Sequence, residues 1–240
     1  MQVFSCIDNT TLTATDTNVS VEAFCHHTLE FSPFHVAAVC VYPRFVAAAK
    51  HALQGSGIRV ASVAGAFPHG QLPLELKVEE VKYAIGQGAD EIDMVLSRGA
   101  LLAGDDDTVV HEVQAMKEAC QGHTLKVILE TCELPSPTLV AHASQLAIDG
   151  GADFIKTSTG KGAAGATPQA AETMLSVIAE NVKKSGKKVG FKAAGGISTP
   201  EEALVYANLA KKILGEDFVK NQIFRIGASR LTDRLFSFLT

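Results

Sequence analysis

The chain has 240 residues, 47% of them hydrophobic and 20% charged, with a formal net charge of -5. That balance describes one well-filled domain, or at most two small ones, and excludes a disordered chain. It also argues against broad nucleic-acid binding, which needs a clustered basic face. The one basic run, Lys183, Lys184, Lys187 and Lys188, reads as a solvated helix end that complements the helix dipole. No apolar run reaches membrane-spanning length, so no membrane partner is expected. Five cysteines, an odd number without a C-x-x-C pair or a secretory signal, suggest reduced thiols and a cytoplasmic location. The histidines are scattered, and His111-Glu112 lacks the second histidine of a zinc-protease helix, so no metal or other cofactor is expected.

In chain order, short runs rich in Val, Ile and Phe alternate with longer amphipathic stretches. Strands are expected near 3–7, 37–41, 59–64, 90–95, 125–129, 153–157, 188–193 and 223–227. Helical patterns fill the intervals, among them Val78 to Gln87 and Val109 to Cys120. Pro200, after Ser198 and Thr199, suits a first helical position, and Glu201 follows Ser198 at capping-box spacing. Eight β–α units in this length predict a (β/α)8 TIM barrel, a single domain over residues 1–240, in preference to a doubly wound sheet. No Rossmann glycine fingerprint and no linker appear.

Working residues in such a barrel lie at the C-terminal ends of the strands. Asp8, Cys40, Asp93, Glu130, Lys156 and Lys192 are therefore the candidates. Asp8 and Glu130 also suit turn caps, and Cys40 a small core residue. Lys156 and Lys192 stand inside apolar runs on successive strands, where an unpaired ammonium is costly. Asp93, also inside an apolar run, needs a cation or a dedicated hydrogen bond, which the lysines could supply. A purely structural ion cluster of these three groups is one reading, but a buried ion pair stabilises poorly, so use in chemistry is the stronger one. A free lysine of pKa about 10.4 is only about 0.04% neutral at pH 7; bringing it near 7 costs about 4–5 kcal/mol. Burial of Lys156 beside the Lys192 ammonium supplies a cause, and the product is an amine nucleophile.

Small residues follow three successive strands: Gly160 and Lys161, Gly195 and Gly196, and Gly227, Ala228 and Ser229. Barrels commonly bind phosphate there. The first of these segments is not a P-loop, because Ile155 replaces its first glycine and Gly162 its final Ser/Thr.

The segments Phe-Ile-Lys-Thr-Ser-Thr-Gly-Lys at 154–161, Val-Gly-Phe-Lys-Ala-Ala-Gly-Gly at 189–196 and Ala-Asp-Glu-Ile-Asp-Met-Val at 89–95 closely resemble signatures of deoxyribose-phosphate aldolase. Cys40 to Phe45, Phe67 to Gly70 and Arg225 to Ser229 extend the resemblance nearly end to end. It implies a metal-free class I aldolase that reversibly cleaves 2-deoxy-D-ribose 5-phosphate to D-glyceraldehyde 3-phosphate and acetaldehyde. It also implies Lys156 as the Schiff-base nucleophile, Lys192 as the cation lowering its pKa, and Asp93 as an aid to proton transfer. Asp8, Cys40, Thr157, Gly160, Lys161, Gly195, Gly196, Gly227 and Ser229 would contact the phosphorylated sugar, and the assembly would be a homodimer. Three features depart from the family pattern. The first strand follows the start directly, Arg230 stands where some members carry a second serine, and the tail has no terminal tyrosine. A ketose-phosphate Schiff-base aldolase and a non-enzymatic phosphate-sensing barrel are the competing readings.

Overall fold

The computed structural model describes residues 2–239. Among the described residues eight parallel strands close into a barrel in sequence order: β1 (Ile7–Thr10), β2 (Ala38–Val41), β3 (Arg59–Ala64), β4 (Glu91–Val95), β5 (Thr124–Ile128), β6 (Phe154–Lys156), β7 (Gly190–Ala194) and β8 (Phe224–Ala228). β8 returns to β1 with Asp8 opposite Gly227. The outer layer comprises α1 (Asn18–Leu29), α2 (Val46–Ala52), α3 (Leu74–Gly86), α4 (Arg98–Leu102), α5 (Asp106–Ala119), α6 (Pro137–Asp149), α7 (Pro168–Ser185), α8 (Pro200–Leu214) and α9 (Leu231–Leu239). This is a (β/α)8 TIM barrel.

Three helix starts share one device. Ser136, Thr167 and Thr199 cap α6, α7 and α8 with their hydroxyls, and Pro137, Pro168 and Pro200 follow at the first helical position. The proline has no N–H to satisfy there, and its fixed φ already suits the helix. This corrects the expected capping box. Because Pro200 is the first helical residue, the cap must be Thr199, whose hydroxyl accepts from Glu202 N at 3.2 Å while Glu202 Oε2 accepts from Thr199 N at 3.0 Å. At the other end of α7, Gly186 stops the helix at φ +70°, leaving Lys183 and Lys184 exposed in its last turn.

The first strand also differs from expectation: it runs over 7–10, not 3–7. Phe4–Cys6 form a 3-10 turn beneath the barrel, and Phe4 packs against Phe31, Phe34 and Phe236 at ring separations of 5.8, 6.0 and 6.4 Å. The apolar residues at 3–7 thus serve a bottom plug as well as a strand. Asp8 is consequently inside β1, pointing into the barrel, and not beyond its end.

Alternate residues separate two cores. Ile92, Met94, Val127, Ile155, Phe191 and Ile226 face outward into the apolar layer shared with the helices. Inside the barrel, Ala38, Cys40, Ala61 and Val63 of β2 and β3 form a small apolar cluster with Leu12. The charged side chains of the interior lie on the other strands, with the Phe154 ring packed under Arg225. Small residues make room where interior groups are large: a Cβ on Gly190 would lie 2.4 Å from Phe154 Cε1, and one on Gly227 would lie 3.0 Å from Lys192 Cε.

Gly190→Ala is accordingly expected to destabilise the barrel by about 1–3 kcal/mol through overpacking. Thermal unfolding should show the loss, and Phe154→Leu in the same chain should restore part of it.

Candidate active site

Asp93, wholly buried on β4, is the hub of the interior. Its Oδ2 accepts from Lys156 Nζ and Lys192 Nζ, each at 2.7 Å, and its Oδ1 accepts from Lys126 Nζ at 2.7 Å. Lys192 also donates to Asp8 Oδ2. Arg225 Nη1 donates to Asp8 Oδ1 at 2.6 Å, and both Nη atoms donate to Glu91 at 2.9 and 2.7 Å. Glu91 Oε2 lies 2.7 Å from Lys126. The strand register makes these contacts: Lys156 stands opposite Lys192, and Asp93 opposite Lys126. β6 is short, so Lys156 ends it at the level where Lys192 is still mid-strand.

Counting the buried side chains among the described residues, this cluster holds four cations (Lys126, Lys156, Lys192 and Arg225) against three carboxylates (Asp8, Glu91 and Asp93). One cation is in excess, and geometry selects which. Burial works against the charge on each. For Lys192 it is outweighed by Asp8 and Asp93, for Lys126 by Asp93 and Glu91, and for Arg225 by Asp8 and Glu91, so all three are pushed above their ordinary pKa. Lys156 meets one carboxylate oxygen and shares it with Lys192. Burial prevails there, Asp93 opposes it, and the Lys192 ammonium adds to it, so the Lys156 pKa is lowered. Burial also works against the charge on Asp93, but Lys126, Lys156 and Lys192 overcome it and hold that carboxyl well below the usual range.

Of these cluster residues, Lys156 alone lines the cavity at the C-terminal ends of the strands, which has a volume of about 490 Å³. Its walls are the loops after β1, β6, β7 and β8, including Gly160, Lys161, Gly195, Gly196, Gly227 and Ser229. Arg230 lines it as well. Gly195 is required by both conformation and space: its φ is +90°, and an added Cβ would lie 2.8 Å from Gly165 Cα. The loops after β6 and β7 therefore meet backbone to backbone. Lys161 Nζ crosses the mouth to donate to Leu12 O at 2.6 Å.

Two sequence candidates lie behind this wall. The Thr157 hydroxyl joins β6 to β7, donating to Ala194 O at 3.1 Å and accepting from Ala194 N at 3.0 Å. Cys40 is buried in the small apolar cluster, where burial pushes its thiol up to about 11 and keeps it protonated. Glu130, in the left-handed region at φ +54°, accepts from Thr159 N at 3.2 Å and from the Thr159 hydroxyl, and so anchors the loop after β6. Sequence reasoning passed over Lys126 and Arg225. Both carry the signal that singled out Lys156, a long cation inside an apolar strand, in Leu125-Lys126-Val127-Ile128 and Phe224-Arg225-Ile226.

With that geometry in place, comparison with known proteins gives the family. Residues 3–228 match the model of the DeoC/LacD family aldolases, and the chain belongs to that family. It is an aldolase, a lyase built on a TIM barrel. A solved structure from Coccidioides immitis, described as a candidate deoxyribose-phosphate aldolase, is 29% identical with a TM-score of 0.84, covering 98% of this chain and 85% of that one. A candidate deoxyribose-phosphate aldolase from Toxoplasma gondii ME49, solved in its apo form, is 26% identical with a TM-score of 0.88, covering 98% and 94%. The deoxyribose phosphate aldolase from Aeropyrum pernix, described as having a unique tetrameric structure, is 27% identical with a TM-score of 0.79, covering 99% and 91%. Among the described residues no helix is long and apolar enough to cross a membrane.

The cluster ties stability to pH. Asp8, Glu91 and Asp93 have folded pKa values below their unfolded ones, so their contribution is present above the unfolded values and lost as pH falls through the folded ones. Unfolding free energy measured in urea should therefore decline below about pH 4. Lys126→Met removes a cation from Asp93 and Glu91; it should cost about 3–5 kcal/mol and move that decline to higher pH.

Proposed function

We propose that this aldolase cleaves 2-deoxy-D-ribose 5-phosphate reversibly to D-glyceraldehyde 3-phosphate and acetaldehyde, through an imine on Lys156. The observation that carries this reading is the position of Lys156. Within the cluster it is the cation whose proton is disfavoured, and it reaches the cavity. A neutral amine there attacks the C1 aldehyde carbon, and loss of water from the carbinolamine gives a protonated imine. That imine is an electron sink. As the C3 hydroxyl gives up its proton, the C2–C3 bond breaks, its electrons pass to the imine, and glyceraldehyde 3-phosphate leaves. The enamine left on Lys156 is protonated at C2 and hydrolysed to acetaldehyde, which returns the amine.

Lys192 is held as an ammonium by Asp8 and Asp93, so it acts as fixed positive charge beside the reacting nitrogen. Asp93 Oδ2 touches both Lys156 and Lys192, and next to the reacting nitrogen it can take up and return the proton of Lys156 while Lys192 stays charged. Paired with three ammonium groups it is a weak base; once Lys156 is neutral it has lost one of those charges and regains basicity. The mouth is the size of a small-molecule site. Gly160, Lys161, Gly195, Gly196 and Ser229, with Arg230 beside them, would hold the 5-phosphate and so fix the carbon chain over Lys156. Asp8 acts through its ion pairs with Lys192 and Arg225, Gly227 through the space it leaves Lys192, and Thr157 and Cys40 from behind the cavity wall. The family resemblance further suggests a homodimer, which light scattering would distinguish from the tetramer described for the Aeropyrum pernix protein.

Borohydride reduction in the presence of 2-deoxyribose 5-phosphate should leave one stable secondary amine, confined to Lys156 on peptide mapping. Lys156→Met should abolish both the adduct and cleavage. Because it removes the surplus cation, it should cost far less stability than Lys126→Met. An adduct on another lysine would refute the assignment. Lys192→Met removes a like charge from Lys156 and leaves it Asp93 Oδ2 alone, so the Lys156 pKa should rise. The acidic limb of kcat/KM should then move to higher pH; an unmoved limb would remove Lys192 from the electrostatic role.

A further inference from the structure

The end of the barrel opposite Lys156 holds a second cavity of about 590 Å³. It lies at the N-terminal ends of β1, β2, β3 and β8, so none of its walls belongs to the mouth described above. Two guanidinium groups line it, Arg59 and Arg225, and no carboxylate does. Arg225 forms the buried back wall. Its Nε donates to Asn221 O, and its Nη atoms are occupied by Asp8 and Glu91. Arg59 differs: its side chain is 49% exposed, and only Nη1 is engaged, with Glu91 Oε1 at 2.9 Å. Among the described residues, Arg59 Nε and Nη2 and the side-chain amides of Asn221 and Gln222 have no hydrogen-bond partner.

Adding Arg59 to the interior cluster gives four cations against three carboxylates when Lys156 is neutral and five against three when it is protonated, so positive charge is in excess in either state. The surplus of positive charge reaches this cavity through Glu91, which accepts from Arg59 and Arg225 and is ion-paired with Lys126. A dianion is the ligand such a surplus favours, and a phosphate group carries a charge of about -1.5 to -2 near neutral pH. The free edge of a guanidinium also matches phosphate oxygens as a two-pronged donor. The volume exceeds that of a bare oxyanion, and Phe4, Pro33 and Phe34 provide apolar wall for the rest of a molecule.

We propose that this cavity binds a small phosphate-bearing molecule, with the Arg59 edge as its anchor and the Asn221 and Gln222 amides as further donors. Its occupant is distinct from the sugar phosphate assigned to the mouth. Isothermal titration of the full chain with inorganic phosphate tests this, in a Gly196→Asp background whose carboxylate repels phosphate from the mouth. Saturable binding should persist in that background and weaken by about tenfold or more on adding Arg59→Gln. Gln222→Glu places a carboxylate on the rim and leaves every partner of Glu91 in place, so it should weaken binding likewise, even if Arg59→Gln perturbs the fold. Absence of saturable binding in the Gly196→Asp chain, or binding unaltered by Gln222→Glu, would overturn the proposal.

Discussion

The carboxylate of Asp93 accepts from three ammonium groups, and much of the interior follows from how those contacts are shared. Taking ions out of water costs several kcal/mol each, roughly, and is offset only when every charge is well partnered. Here Lys192 and Arg225 each meet two carboxylates and Lys126 three, whereas Lys156 has half a share of one. The deficit is therefore localised on a single nitrogen. An even distribution of partners would have left four stable cations and no amine disposed to give up its proton.

The barrel makes room for this by dividing its inside. β2 and β3 contribute the small apolar side chains Ala38, Cys40, Ala61 and Val63, while the charged groups come from β1, β4, β5, β6, β7 and β8. The apolar patch keeps the low-dielectric surroundings that disfavour a proton on Lys156, and the ionic side supplies the fixed charges. Pairing in register across β6 and β7 puts Lys156 beside Lys192, and the shortness of β6 places only the former at the open end.

The lysine short of a partner and the glycine-bearing loops then meet at one mouth. The loops after β6 and β7 approach so closely at Gly165 and Gly195 that neither position has room for a Cβ. Glu130, held in the left-handed region, anchors the first of these loops through Thr159. The mouth is thus framed by rigid elements and not by free loop ends, which fixes the position of the groups that line it.

Much of this was legible in the order of residues. The alternation of apolar runs determined the eight-stranded barrel, and a lysine inside such a run marked Lys156, because an ammonium in a buried strand needs a reason. Prolines after Ser136, Thr167 and Thr199 determined three helix starts. Local patterns misled at the first strand, where apolar residues at 3–7 were divided between a bottom plug and β1, and placed one capping box a residue early. What the sequence left open was the pairing of charges. Residues 8, 91, 93, 126, 156, 192 and 225 lie far apart along the chain, and only closure and register of the barrel bring them together. The sequence alone determined that several charges would be buried; tertiary structure decided which lysine would be short of a partner, because a pKa depends on distances across strands and not on neighbours along the chain.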